Sequence, residues 1–444
     1  MVSMKRLVLV VVVIFCCVAL PIEAFAGKRE KARQEVLDRG RGYYKDVFMD
    51  GGISLTSRYY LPSARYLGLS IDYFASASTK KLSQKDTLLQ TKIFCGSEDD
   101  TNGWLLYPDG APRFRMIYVN GGKAAAHARS LGEQGQARIR EYVNNGGGYL
   151  GTCAGAYIAS RGVNRSGQLR QTDCYFGVWP GVTHPTRLLK SNTVLDLERG
   201  SALARYFDFG KDKAIDKVRH NGGCYAYSGS DFPLPKGTEP LARYRFDNTS
   251  KVKIDGEMAI WGYKANENTG RVILCGSHPE SVPEGERVQL TAAMLLYAMD
   301  GNPEPKLKGV LKNGEVREMN KRTEDNNPDY TCIGDRQYHH FAVDVPRKCK
   351  QLKISLDGYD QKRRYDLTIC AKRGEMAYHD NTTQKVVSRG CKKSLTIDKP
   401  KSGRWYISVL CESTIATGTN KYGTYIRANK GVLNGVPYTI LAEY

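Results

Sequence analysis

The sequence predicts an α/β domain with a parallel sheet, followed by an all-β sandwich. Over residues 43–302, apolar runs alternate with helical patterns, which is typical of a parallel sheet with flanking helices. Over residues 330–444 the pattern changes to short alternating strands separated by turn residues, which is typical of an antiparallel sandwich. Residues 303–329 are predicted as a linker, because Pro303 and Pro305 interrupt the chain and a polar stretch follows.

The individual elements follow from the period of the apolar residues, which is near two in strands and 3.6 in helices. In the first domain we predict strands over Tyr44–Met49, Ser70–Phe74, Arg115–Val119, Gly148–Thr152 and Arg271–Cys275, and helices over Ser54–Leu69, Gly132–Asn144, Ala154–Ser160 and Glu286–Met299. In the sandwich, alternating runs predict strands over Phe341–Val345, Leu352–Leu356, Tyr365–Ile369 and Trp405–Val409.

The chain has 444 residues, 41% of them hydrophobic, and a formal net charge of +20. Its length suggests more than one domain, and its composition is that of packed globular domains. The basic residues are scattered and accompany no nucleic-acid motif, so no nucleic-acid partner is expected. The basic surface of the C-terminal domain is either merely solvated or attracts an anionic cell-surface polymer.

Residues 1–26 have the features of a cleaved bacterial signal peptide. Lys5 and Arg6 precede an apolar run over Leu7–Leu20, and Ala24 and Ala26 form a small-residue cleavage signal. An uncleaved N-terminal anchor is the alternative, although the run is shorter than the roughly 20 residues of a spanning helix. The mature chain is therefore expected to be secreted or periplasmic, with no later transmembrane segment.

The cysteines suit an oxidising compartment. No C-x-x-C pair occurs, so the sequence indicates no zinc knuckle, and no metal site is predicted. Cys370 and Cys391 flank one loop between predicted strands, and we predict a disulfide between them. Asp366 alone gives no calcium-ligand cluster.

The strongest chemical signal surrounds Cys153. The predicted strand Gly148–Thr152 leads into G-x-C-x-G and then a helix, which is the cysteine form of a nucleophile elbow. Gly151 and Gly155 are the elbow glycines, because the turn is tight and its neighbours pack closely. The helix N-terminus favours a thiolate. The alternative is an inert buried cysteine in a glycine-rich turn.

Two further segments point to the same chemistry. His278 directly follows an apolar strand and can take the proton of Cys153, while Glu280 can orient the imidazole. His184 and His220 are rival bases that lack a Glu two residues on. The backbone N–H groups that could face an oxyanion are those of the three residues Gly121, Gly122 and Ala154.

Together these segments resemble the class I glutamine amidotransferase-like superfamily, and within it the biotin–protein ligase N-terminal-like domain. The resemblance extends over about residues 43–302. It implies a flavodoxin-like sheet, with Cys153 as nucleophile, His278 as base and Glu280 as orienting residue. The resembling stretches are Ile117–Gly122, Ile139–Val143, Gly146–Tyr157, Gly177–Gly181, His220–Gly223 and His278–Glu280.

Residues 330–444 resemble the bacterial pre-peptidase C-terminal domain, which implies a jelly-roll-like module with an accessory role. Arg39-Gly40-Arg41-Gly42 echoes a biotin-ligase loop, but no ligase domain surrounds it, so biotin ligation is rejected.

The sequence therefore predicts an exported thiol-dependent hydrolase of an amide or peptide C–N bond. It would need no cofactor, and its substrate would be a small molecule or a peptide. The alternative is a non-catalytic exported protein that binds a ligand or surface and retains the fold. The complete Cys-His-Glu set favours the enzyme, because a binding protein has no need to keep it.

Overall fold

The computed structural model describes residues 27–50, 61–74, 103–124, 127, 132–170, 175–323, 326–359, 365–420 and 423–444. The predicted signal peptide, residues 1–26, lies outside these ranges, as does the first part of the helix predicted over Ser54–Leu69. Within the described part of that segment the helix spans only Pro62–Tyr66, with its proline in the first turn.

The first region contains both helices and strands. Its helices are α1 (residues 27–38), α2 (Pro62–Tyr66), α3 (Gly132–Asn144), α4 (Ala154–Ala159) and α5 (Glu286–Met299). Its strands are β1 (Lys45–Asp50), β2 (Ile71–Phe74), β3 (Phe114–Val119), β4 (Gly148–Thr152), β5 (Gly162–Arg165), β6 (Gln168–Arg170), β7 (Val182–Pro185), β8 (Ser191–Leu197), β9 (Ala214–His220), β10 (Cys224–Ala226), β11 (Thr238–Arg245), β12 (Met258–Tyr263) and β13 (Val272–Cys275).

A parallel sheet forms the centre of this region, in the order β2-β1-β3-β4-β13. Successive side chains of a strand point to opposite faces of the sheet, so a fully buried strand contributes side chains to the cores on both faces. In β3, Met116 packs in the cluster that contains α5, whereas Ile117 packs in the cluster that contains α3 and α4. Helices therefore cover both faces, as predicted for an α/β domain.

The sheet continues beyond β13 with antiparallel strands, in the order β12-β11-β8-β9. A separate four-stranded sheet has the order β10-β7-β5-β6. These strands were not predicted. The flavodoxin-like description therefore applies at most to the parallel centre, and in its details it stays a prediction.

The remaining strands form a β-rich region. They are β14 (Leu307–Val310), β15 (Val316–Met319), β16 (Tyr338–Val345), β17 (Gln351–Gly358), β18 (Leu367–Arg373), β19 (Gln384–Val387), β20 (Lys393–Asp398), β21 (Gly403–Cys411), β22 (Ala416–Asn420), β23 (Gly423–Ala428) and β24 (Tyr438–Glu443).

Two sheets share one core in this region. The first has the order β14-β16-β21-β18-β19, and the second has the order β15-β24-β17-β20. Phe341 of the first sheet and Ile354 of the second belong to the same buried cluster. The predicted β-rich region is thus present, while its jelly-roll topology stays a prediction. The hairpin of β22 and β23 instead joins the α/β sheet at β2.

Two predictions about the C-terminal third were wrong. The segment 303–329 is not simply a linker, because its strand β14 pairs with β16 and its strand β15 pairs with β24. Cys370 and Cys391 are both free thiols, so the predicted disulfide is not formed. Cys370 lies within β18 of the first sheet, whereas Cys391 precedes β20 of the second sheet and contacts Gly358 there.

Buried ion pairs connect the two regions. Arg113, next to β3, donates to Asp335 of the β-rich region over 2.6 Å, and both side chains are almost fully buried. The hydroxyl of Tyr107 donates to the backbone carbonyl of Asp335 over 2.8 Å. Lys308 and Asp109 form a second pair at 2.8 Å. Within the described ranges, no helix is both long and apolar enough to span a membrane.

Acid should destabilise the β-rich region through His340. Burial lowers the pKa of this ring to about 4, whereas an unfolded histidine has a pKa of about 6.5. The folded state therefore binds fewer protons, so stability is full above about pH 6.5 and is lost as the pH falls toward 4. We expect this residue to account for roughly 3 kcal/mol of destabilisation at about pH 4.

Urea unfolding of His340→Gln between about pH 4 and pH 7 tests this expectation. The variant should lose the part of the pH slope that His340 contributes. Gln is chosen because it can still hydrogen-bond Ser408, whose hydroxyl lies 2.7 Å from the His340 Nδ1. An unchanged slope of stability against pH would contradict the assignment.

Candidate active site

Cys153 occupies a strained turn between β4 and α4. Its backbone has φ 48° and ψ −102°, a positive-φ conformation that residues other than glycine rarely adopt. The two predicted elbow glycines permit this turn. A Cβ on Gly151 would lie 2.5 Å from the backbone of Gly155, and a Cβ on Gly155 would lie 2.1 Å from the carbonyl oxygen of Val119. Neither position can accept a larger residue without moving the backbone.

His278 lies at the same sheet edge as Cys153. Strands β4 and β13 are parallel neighbours, and Thr152 pairs with Cys275. Both strands therefore end at the same edge of the sheet, where β4 leads into the Cys153 turn and β13 leads into the His278 loop. The amide of Cys153 donates to the carbonyl of Cys275 over 2.8 Å, which joins the turn to β13.

The three predicted catalytic side chains contact one another in series. The Nδ1 atom of His278 lies 2.9 Å from the Oε1 atom of Glu280, and the ring also interacts electrostatically with the side chain of Cys153. Burial alone would lower the pKa of His278, but the charge of Glu280 and the interaction with Cys153 outweigh it and raise the pKa to about 10. The ring is therefore an imidazolium at neutral pH.

Backbone donors lie at the same edge. Gly121 and Gly122 follow β3, whose Val119 pairs with Gly151 of β4, and Ala154 is the first residue of α4. Gly122 has φ 149°, and a Cβ there would lie 2.6 Å from the ring of His127. Within the described ranges the amides of Gly121, Gly122 and Ala154 donate to no backbone carbonyl. Their role as oxyanion donors stays a prediction.

A short covering loop, Asn221–Gly223, closes over the sulfur. The sulfur of Cys153 lies 3.9 Å from the carbonyl oxygen of Asn221. The hydroxyl of Tyr157 donates to the carbonyl of Gly223 over 2.9 Å. Only 5% of Cys153 and 5% of His278 is exposed, so the sulfur and the ring are largely covered.

The two rival histidines do not take the place of His278. Both ring nitrogens of His220 are engaged, by Thr186 at 2.6 Å and by Ser277 at 2.8 Å. Burial, together with the charge of His278, lowers the pKa of His220 to about 3, so it is a neutral structural residue. The ring of His184 stacks on Tyr225 with ring centres 5.0 Å apart. Burial lowers its pKa.

Other cysteines near the site are buried free thiols. Burial raises the pKa of Cys275, and it raises that of Cys224 well above the usual range. Both thiols are therefore protonated at neutral pH and poorly nucleophilic. Among the described residues, no group of three or more His, Cys, Asp or Glu side chains has an arrangement that could hold a metal ion.

Two residues of the site were not predicted. Thr152 donates from its hydroxyl to Glu280, and Tyr157 holds the covering loop. Thr152 belongs to the elbow motif, but its side chain meets Glu280 only because β4 and β13 are neighbours. The sequence spacing of 128 residues between Thr152 and Glu280 gives no sign of this contact.

Comparison with known proteins agrees with part of this description. Residues 111–296 match the family model described as "Biotin-protein ligase, N terminal". A protein of Chlamydia muridarum (strain MoPn / Nigg), described as uncharacterized, is 29% identical over 180 residues. That match covers 38% of this chain and 62% of the relative, so the chain spans less than two thirds of the relative's length.

Two solved structures are also similar. One is a glutamine amidotransferase, with 18% identity, a TM-score of 0.29, and coverage of 42% of this chain and 80% of that chain. The other is a provisionally assigned GMP synthase subunit from Thermoplasma acidophilum, with 12% identity, a TM-score of 0.33, and coverage of 56% and 92%. Neither similarity is close enough to carry a function to this chain.

The matched stretch contains Cys153, His278 and Glu280. No comparison supports the predicted resemblance of residues 330–444 to the pre-peptidase C-terminal domain, which stays a prediction. Residues 111–296 of this chain thus resemble the N-terminal domain of biotin–protein ligase.

Proposed function

We propose that the chain is a thiol-dependent hydrolase that cleaves an amide or peptide C–N bond. The observation that carries the proposal is the contact of His278 with both Cys153 and Glu280 beside a strained nucleophile turn. A purely structural cysteine needs neither the strained backbone nor a buried imidazole–carboxylate pair, and both are costly to maintain. Such features concentrate at sites that use them.

In the proposed reaction the Cys153 sulfur attacks the carbonyl carbon of the substrate, and its proton resides on His278. The oxyanion that forms would accept hydrogen bonds from the amides of Gly121, Gly122 and Ala154. The C–N bond then breaks, His278 gives its proton to the leaving amine, and a thioester remains on Cys153. Water, deprotonated by His278, attacks the thioester carbonyl carbon, and the acid product and the free thiol are released.

The proposal includes export of the mature chain, which rests on the apolar run and the small residues before Gly27. The basic β-rich region would then act as an accessory part that contacts an anionic cell-surface polymer. The mass of the mature protein tests the export step. A chain that starts at Gly27 supports it, and a mature chain that retains Met1 contradicts it.

Turnover of a panel of amino-acid and dipeptide p-nitroanilides tests the hydrolase activity. We expect release of p-nitroaniline and an acyl adduct on Cys153 in peptide mass maps, with both lost in Cys153→Ala. Cys224→Ala is the matched control, because this buried thiol should not react. Turnover that persists in Cys153→Ala would overturn the proposal. So would the absence of both turnover and adduct, and a binding protein would then be the better description.

A further inference from the structure

A chain of hydrogen bonds extends from the candidate site into the core of the sheet. The hydroxyl of Thr152 donates to the Oε1 atom of Glu280 over 3.1 Å, on the same oxygen that His278 contacts at 2.9 Å. The hydroxyl of Tyr118 lies 3.2 Å from the Thr152 oxygen. A threonine hydroxyl has one proton, which goes to Glu280, so Tyr118 must be the donor to Thr152.

We propose that Thr152 is a positioning residue that holds the Glu280 carboxylate in place for His278. This inference rests on the proposed function, because it concerns the same site. Thr152 would not touch the substrate. It would act through Glu280 on the orientation of the imidazole, and so on the nucleophile.

The burial of Glu280 and its small number of hydrogen-bond donors make the bond from Thr152 important for the position of the carboxylate. Only 4% of Glu280 and none of Thr152 is exposed, so water cannot replace a lost hydrogen bond. The second carboxylate oxygen of Glu280, Oε2, has no hydrogen-bond donor among the described residues. Thr152 is thus the side chain other than His278 that bonds this carboxylate in the described part of the chain. Without it the carboxylate could rotate about its last bond.

The place of Thr152 in β4 adds to the argument. Thr152 immediately precedes Cys153, and its backbone pairs with Cys275, three residues before His278. The end of β4 therefore holds Cys153 through the backbone and holds the Glu280 carboxylate through the side chain of Thr152. A shift of β4 relative to β13 would move both together. An apolar residue at position 152 would fill the same space but would lose this coupling.

Proton NMR of the His278 ring tests the inference without requiring activity. We expect the wild-type protein to show a downfield, slowly exchanging Nδ1 proton that is bonded to Glu280. Thr152→Val should speed the exchange of this proton by about 10-fold or more, because the carboxylate loses its second donor. Thr152→Ser keeps the hydroxyl and should restore the slow exchange.

Thr368→Val is the matched control. Its buried hydroxyl donates to Glu412 over 3.0 Å in the β-rich region, so the same kind of bond is lost far from Cys153 along the chain. We expect it to leave the His278 proton unchanged. The inference would be overturned if the His278 proton exchanged as slowly in Thr152→Val as in the wild-type protein. It would also be overturned if Thr152→Val and Thr368→Val changed this exchange rate equally.

Alkylation of Cys153 gives a second readout with a different pH dependence. Thr152→Val should slow labelling about 10-fold near pH 6, where the thiolate depends on an aligned imidazolium, and should barely change it near pH 9. A loss of equal size at both pH values would indicate simple destabilisation and overturn the positioning role. Failure of the hydrolase proposal would appear separately, as slow labelling of the wild-type protein.

Discussion

Replacing His278 with asparagine should slow alkylation of Cys153 about 100-fold near pH 6. The ring contacts both Cys153 and Glu280, and its pKa is raised to about 10. It therefore stays positively charged and favours the thiolate throughout the neutral range. A thiol without this partner has a pKa of about 8.5 and is only about 0.3% ionised near pH 6. Iodoacetamide is a suitable reagent, because it is small enough for a largely covered sulfur.

The pH dependence of this effect is part of the prediction. The variant should approach the wild-type rate above about pH 9, where an ordinary thiol is ionised without help. His184→Asn is the matched control, since this half-buried ring packs on Tyr225 rather than on Cys153. Equal labelling of wild type and His278→Asn near pH 6 would show that the imidazole does not activate the sulfur.

Replacing Asp335 with asparagine should cost about 3–5 kcal/mol of folding free energy. The carboxylate pairs with Arg113 in a site where both side chains are almost fully buried. Burial lowers the pKa of Arg113, but Asp335 and the rings of Tyr107 and Tyr44 outweigh it, so the pKa is raised. Arg113 thus stays charged, and removal of its partner would leave an uncompensated charge in the interface between the two regions.

Asp344→Asn is the control for this experiment. Asp344 accepts two hydrogen bonds of 2.8 Å from Arg404, but both side chains are about half exposed, so its loss should cost at most about 1 kcal/mol. The double variant Arg113→Met with Asp335→Leu should recover most of the lost stability, because no buried charge remains. Urea unfolding gives the three values. A similar small cost for Asp335→Asn and Asp344→Asn would contradict the buried-pair account.

Much of the α/β centre could be predicted, because the local sequence of its elements indicates their type and where they begin and end. Strand β4 and helices α3 and α5 have the predicted bounds, since apolar period and glycine boundaries coincide there. The placement of Cys153 and His278 at one edge of the sheet could be predicted for the same reason. Cys153 and His278 each follow an apolar strand, and parallel strands bring such positions to one edge.

Other features depend on which segments become neighbours, and the sequence carries no local sign of them. Strands β8, β9, β11 and β12 extend the sheet because β12 pairs with β13. The segment 303–329 is polar and proline-rich, yet its strand β14 forms a parallel pair with β16. Strand β19 lies between Cys370 and Cys391 in the chain, and Cys370 is in β18 of the first sheet whereas Cys391 precedes β20 of the second. The contact of Thr152 with Glu280 likewise needs two strands to be adjacent.

The rate of Cys153 alkylation in native protein, compared with the same residue in urea-unfolded protein, tests the central claim most directly. The protein should be freshly reduced, because a reactive thiol oxidises readily. We expect native Cys153 to react faster than its unfolded counterpart near pH 6, and faster than every other cysteine of the native chain. Native labelling no faster than that of the unfolded chain, or Cys153 in a disulfide in active protein, would contradict its role as the nucleophile.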